Sequence, residues 1–71
     1  MQIRINGKHE EVKEGTILDL LKARNVEPEM VSVELNSKIL ERTDYVATNI
    51  KEGDVIEFLY FMGGGVAEGA I

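Results

Sequence analysis

The run Val55-Ile56-Glu57-Phe58-Leu59-Tyr60-Phe61-Met62 constrains this chain more than any other stretch. It is the longest series of β-branched and aromatic residues, so it reads as a strand. Successive strand side chains point to opposite faces, which puts Ile56, Phe58, Tyr60 and Met62 on one side. Val55, Leu59 and Phe61 fall with Glu57 on the other. A strand apolar on both faces belongs in the centre of a sheet, and 71 residues leave room for one domain and one core around it.

The rest of the chain supplies partners for that strand. Met1, Ile3 and Ile5 alternate with Gln2 and Arg4, the period of a strand with one buried face. Asn6-Gly7 follows, and a type I′ turn needs positive φ at both central positions, so the pair predicts a hairpin into a short second strand over residues 8–12. Glu14-Gly15 ends it. Thr16 and Asp19 have the spacing of a capping box, starting a helix whose Ile17, Leu20, Leu21 and Arg24 share one face. Asn25 suits a left-handed C-terminal position and Pro28 prevents continuation, so the helix has only about two to three turns and must dock on a sheet to persist.

Val31, Val33 and Leu35 alternate with Ser32 and Glu34 as a third strand, which Asn36-Ser37 ends. Residues 38–49 have no clean period; a short strand at Ile39-Leu40 and a helical turn near residues 43–46 are expected there. Glu52-Gly53-Asp54 turns into the central run, after which come Gly63-Gly64-Gly65 and the light segment Val66-Ala67-Glu68-Gly69-Ala70-Ile71. Residues 1–62 are expected to form the folded body and residues 63–71 a flexible glycine-rich tail. A hairpin, one helix and further strands make an α+β domain.

Composition removes several kinds of function. Hydrophobic residues make up 44% of the chain, enough for a globular core, and the net charge is −5. Cysteine is absent, which excludes disulfide staples, thiolate zinc sites and persulfide chemistry on the chain itself. No run approaches the roughly 18 apolar residues of a membrane span, and Met1 begins a strand pattern rather than a leader, so a cytoplasmic location is expected. An acidic chain without a Lys/Arg cluster is a poor partner for nucleic acid or an anionic membrane and a better one for basic protein surfaces. His9, the sole histidine, has no ligand-like neighbours and reads as a surface residue; neither a metal site nor a bound cofactor is expected. Ser32 and Ser37 lack a base, and the glycine run lacks the Lys, Ser/Thr and helix of a phosphate loop.

The element order, the strand Val33-Glu34-Leu35 closed by Asn36, and above all the turn and strand Glu52 to Met62 running into Gly63-Gly64-Gly65 resemble the ThiS/MoaD sulfur-carrier family of ubiquitin-like β-grasp proteins. The closer match is to its ThiS branch, the carriers of thiamine biosynthesis. The Asn6-Gly7 hairpin and the Gly15-Thr16 helix start sit in matching places, so the resemblance spans Met1 to Gly65. It implies a mixed sheet of four to five strands, one main helix packed on one face and a flexible C-terminal tail.

It also implies a carrier rather than an enzyme. An adenylating enzyme of the ThiF type, related to ubiquitin activators, would use ATP to activate the terminal carboxylate. A sulfur donor such as a cysteine desulfurase would convert it to a thiocarboxylate, and a thiazole synthase of the ThiG type would accept the sulfur. The reactive end falls on Gly65 with Gly64 behind it, Gly64 and Gly63 being alternative ends. Such carriers generally act with their glycines at the terminus, so residues 66–71 imply removal by a trimming protease. The free carrier is expected to be a monomer. Glycines lack Cβ atoms, so the tail can thread a narrow channel and visit successive enzymes.

One helix covers only one sheet face, which leaves Leu59 and Phe61, with Gly63 beside them, as a docking patch unless residues 38–49 fold over them. Glu52, Asp54 and Glu57 either steer the carrier onto a basic enzyme surface or are ordinary solvated charge. The overhang past Gly65 also fits a related carrier for cysteine, methionine or molybdopterin synthesis. From another class, a β-grasp module that binds partners non-covalently would carry the glycines as an inert, frayed end.

Overall fold

The computed structural model describes residues 1–61. The chain forms β1 (Gln2–Ile5), β2 (Lys8–Glu11), α1 (Ile17–Ala23), β3 (Val31–Leu35), β4 (Lys38–Ile39) and β5 (Val55–Tyr60), with short 3₁₀ turns at Pro28–Met30 and Arg42–Asp44. Met62, expected in the last strand, and the tail residues Gly63, Gly64, Gly65 and 66–71 lie outside the described residues.

The five strands form one mixed sheet in the order β2-β1-β5-β3-β4. The apolar run is therefore central, parallel to β1 and antiparallel to β3. Asn6 and Gly7 take φ of 49° and 84°, the doubly positive turn that their sequence demands. Asn36 and Ser37 make a second such turn, with φ of 50° and 74°, so the residues that end β3 also return the chain as β4. The edge strand occupies Lys38–Ile39 and the helical turn Arg42–Asp44, each one residue earlier than the pattern suggests.

The helix begins as its cap predicts. Thr16 Oγ1 accepts from Asp19 N at 3.1 Å, and Asp19 Oδ2 accepts from Thr16 N at 3.0 Å. Those bonds hold the Asp19 carboxyl below its ordinary range, the backbone bond from Thr16 contributing most. Gly15 is required beside this cap, because a Cβ there would lie 2.9 Å from Asp19 Oδ2. Asn25 closes the helix with φ of 58°. Arg24 caps the C-terminus, pairs with Glu10 on β2 at 2.8 Å and lies 6.0 Å from the Phe58 ring centre, tying the helix to both an edge and the middle of the sheet.

The core lies between α1 and one sheet face. Ile3, Ile5, Val31, Val33, Ile56 and Phe58 from the sheet meet Ile17, Leu20 and Leu21 from the helix, and Tyr45 and Ile50 complete the layer. The segment without clear periodicity is thus part of the body. It is ordered by the helix start: Ile17 N donates to Thr48 O and Leu18 N to Tyr45 O, both at 3.0 Å, while Ile50 N donates to Gly15 O at 2.9 Å. Two amides of the first helical turn, which have no partner within the helix, are satisfied this way.

Candidate functional site

The sheet face turned away from α1 carries Gln2 and Arg4 of β1, His9 and Glu11 of β2, Ser32 and Glu34 of β3, Ile39 of β4, and Val55, Glu57 and Leu59 of β5, as the pairing register and the burial of their alternating neighbours require. Residues 45–50 bond the helix start, Leu40 N donates to Val33 O and Arg42 Nε to Pro28 O, and the face stays open. Leu59 is 55% exposed and Ile39 69%, and Val55 is also open to solvent. Phe61 is half-buried beside Ser32, Ile39 and Arg42. Tyr60 faces the core side but is half-exposed at its end, edge-on to Phe58.

The strand leading to the glycines is held unequally along its length. At its start β5 bonds on both sides: Arg4 N donates to Asp54 O and Asn6 N to Ile56 O, each at 2.9 Å, while Asn36 N donates to Val55 O at 2.8 Å. Where β1 turns away, the Asn6 side chain continues the pairing, its Oδ1 accepting from Phe58 N at 2.7 Å. Past Phe58 only β3 remains alongside, and the last described contact of the root is Phe61 N to Met30 O at 2.9 Å. The described chain therefore ends at Phe61, directly after the central strand and next to Leu59. Gly63, Gly64 and Gly65 follow outside the described residues.

The acidic residues of the preceding turn separate into two kinds. Asp54 is only 8% exposed; its Oδ1 accepts from Asn36 Nδ2 at 3.0 Å and its Oδ2 from Lys51 N at 2.8 Å. Asn36 Oδ1 in turn accepts from Val55 N at 2.9 Å, so Asn36 and Asp54 clasp the β3–β4 turn to the start of β5. Asp54 is thus a structural group and not part of a steering surface, which corrects the reading that groups it with Glu52 and Glu57 as surface charge. Glu52 and Glu57 are exposed. Burial was not visible from spacing, although an Asp accepting from a backbone amide of its own turn, here Lys51 N, is ordinary turn chemistry.

His9 is exposed, its Nε2 3.4 Å from Arg4 Nη2. Among the described residues no group of three or more His, Cys, Asp or Glu could hold a metal, and no helix is long and apolar enough to cross a membrane. Sequence reasoning missed Asn6 and Asn36 as pairing residues: both were read only as turn formers, yet each side chain also bonds β5.

A mixed five-stranded sheet of this order with one helix across one face is the β-grasp class. The family model described as the ThiS family matches residues 3–65, from the first buried residue of β1 to the third glycine. The chain belongs to the ThiS family. Sulfur carrier protein ThiS of Bacillus subtilis is 38% identical over 65 residues, covering 89% of this chain and 98% of that protein. A thiazole synthase of Magnetococcus marinus is 39% identical over 66 residues, covering 92% of this chain; the chain spans only 20% of that protein's length. The crystal structure of thiamine biosynthesis protein ThiS from Geobacter metallireducens superposes with a TM-score of 0.78 at 46% identity, covering 90% of this chain and 99% of that one. The solution structure of the Geobacter metallireducens protein gives 0.77, covering 96% and 92%.

Proposed function

We propose that this chain is a sulfur carrier of thiamine biosynthesis, acting through the carboxylate of Gly65 once residues 66–71 are removed. It is a substrate of other proteins rather than a catalyst. The observation that carries this reading is the coincidence of two ends: the family match stops on Gly65, and the described body delivers the chain to those glycines from the end of its central strand.

In this reading residues 1–62 are the handle and residues 63–71 the tail. An adenylating enzyme of the ThiF type uses ATP: a Gly65 carboxylate oxygen attacks the α-phosphorus, pyrophosphate leaves, and the carboxylate becomes an acyl-adenylate. A persulfide, supplied through a donor such as a cysteine desulfurase, displaces AMP at the same carbon, and a thiol reductant then cleaves the acyl disulfide so formed, ending as a disulfide itself. The resulting thiocarboxylate then meets a thiazole synthase of the ThiG type. That partner is supported by the Magnetococcus marinus thiazole synthase, in which a stretch similar to this chain makes up a fifth of one polypeptide. Gly64 and Gly65 lack the Cβ atoms that would obstruct a narrow channel; Leu59 and Phe61, at the end of the described chain with Gly63 next but one in sequence, are the residues an enzyme gripping the tail would touch. A free monomer in the cytoplasm completes the reading, with the trimming done by a protease.

The test is intact-mass analysis of the chain ending at Gly65 after incubation with the ThiF-type enzyme, ATP and a sulfur source. The expected result is a mass gain equal to one oxygen replaced by sulfur, absent when ATP is omitted. No gain with an enzyme that loads the Bacillus subtilis carrier would defeat the proposal.

A further inference from the structure

One feature of the outer sheet face is out of keeping with a merely solvated surface. Glu34 of β3 and Glu57 of β5 are direct partners in the antiparallel register. Directly opposed side chains are close neighbours in a sheet, and like charges in that position work against folding. Among the described residues neither carboxylate makes an ion pair or a side-chain hydrogen bond. Arg4, the cation on the same face, sits in register with Val55 and has its guanidinium beside His9. The pair is bordered by apolar side chains: Ile39 lies opposite Glu34 on the next strand, and Leu59 and Val55 flank Glu57 along its own. Glu57 is exposed and Glu34 half-buried, and among the described residues no ion pair or side-chain hydrogen bond offsets their repulsion.

We infer that Glu34 and Glu57 form a receptor for an arginine side chain on an otherwise apolar surface of the adenylating enzyme that loads the tail; the inference rests on the sulfur-carrier reading above. A guanidinium fits because it is planar, weakly hydrated and able to present N–H groups to both carboxylates, while its flat faces tolerate the neighbouring Leu59 and Ile39. Charge complementarity selects the occupant: an acidic or purely apolar partner would leave the two carboxylates desolvated and unpaired, which opposes binding. The position fits as well, because the face adjoins Phe61, the last described residue, two positions before Gly63 in sequence. The opposed carboxylates thus act as a recognition element whose repulsion the partner relieves.

The experiment uses the chain ending at Gly65 with the ThiF-type adenylating enzyme and follows ATP-dependent pyrophosphate release as carrier concentration is varied. Glu34→Gln and Glu57→Gln are each expected to raise KM for the carrier about tenfold while leaving kcat within about twofold. The double variant should raise it by less than the product of the single effects, because one guanidinium serves both carboxylates. Both single variants should melt no lower than the parent, since each removes a repulsion, and that separates docking from folding. KM values within about twofold of the parent overturn the inference while leaving the carrier function standing. So does an effect confined to sulfur transfer to the thiazole synthase, which would assign the pair to that partner. A parent chain that is not activated at all overturns the carrier reading, and this inference with it.

Discussion

Single side chains settle where β5 begins and how it stays paired. Asn36 and Asp54 share three hydrogen bonds that involve Lys51 N, Val55 N and each other, with Asp54 almost fully buried. Both Asp54 oxygens act as acceptors. The nearly isosteric change Asp54→Asn therefore replaces one acceptor by an NH₂ group and sets a donor against a donor. Leaving a buried donor unsatisfied costs about 1–3 kcal/mol, and we expect Asp54→Asn to lose stability of that size in urea denaturation. Conversion of the exposed Glu52 to Gln should change little, its Oε1 only receiving Gln2 N at 3.1 Å. An unchanged midpoint for Asp54→Asn would show that the clasp is dispensable. The lesson extends to Asn6, whose side chain bonds Phe58 N in place of a strand residue. Turn chemistry made Asn readable at both positions, but a second bond across roughly fifty or twenty residues of sequence leaves no local trace.

At the scale of elements, local chemistry was legible and long-range support was not. The β1–β2 hairpin could be read because Asn6-Gly7 favours one turn type, and α1 because Thr16 and Asp19 cap it at fixed spacing. The direction of β5 relative to β1 could not, since pairing partners are chosen by the whole sheet. Residues 40–50 were opaque for a different reason: they are held by backbone carbonyls facing the first turn of α1, a role with no side-chain period. The open sheet face was half legible. Alternation placed Leu59 correctly, but whether the irregular segment covered it depended on those same backbone bonds. The cap also gives the fold a pH dependence. Asp19 has its pKa lowered in the folded chain, first by the backbone bond from Thr16 and then by its hydroxyl. A group whose folded pKa is depressed stabilises the fold above its ordinary value, here 3.8, and that contribution fades as pH falls through the folded pKa. Parent and Asp19→Ala should accordingly differ in thermal midpoint at about pH 6, and the difference should narrow as pH is taken below 3.8. A difference that persists undiminished into acid would mean that the carboxylate charge has no part in the cap.

Considered as a whole molecule, the proposed function separates a body that folds from an end that would react. Every buried apolar residue of the described core lies between Ile3 and Phe58, and the root of the tail is fixed by one backbone bond from Phe61 to Met30. Stability should therefore be indifferent to the glycines. Deleting residues 63–71 is expected to change unfolding free energy by no more than about 0.5 kcal/mol, the range of surface substitutions that touch no buried feature. Leu21→Ala, emptying a fully buried site between helix and sheet, should cost about 2–5 kcal/mol. Loading should respond the other way round. The deletion should abolish thiocarboxylate formation, because the accepting carboxylate is gone, whereas Leu21→Ala should remain loadable at temperatures where it is folded. The paired measurement is denaturant unfolding and intact mass on the same three samples. A deletion that unfolds the body would place the glycines among the groups holding the fold together, and a deletion that is still loaded would move the reactive end off Gly65.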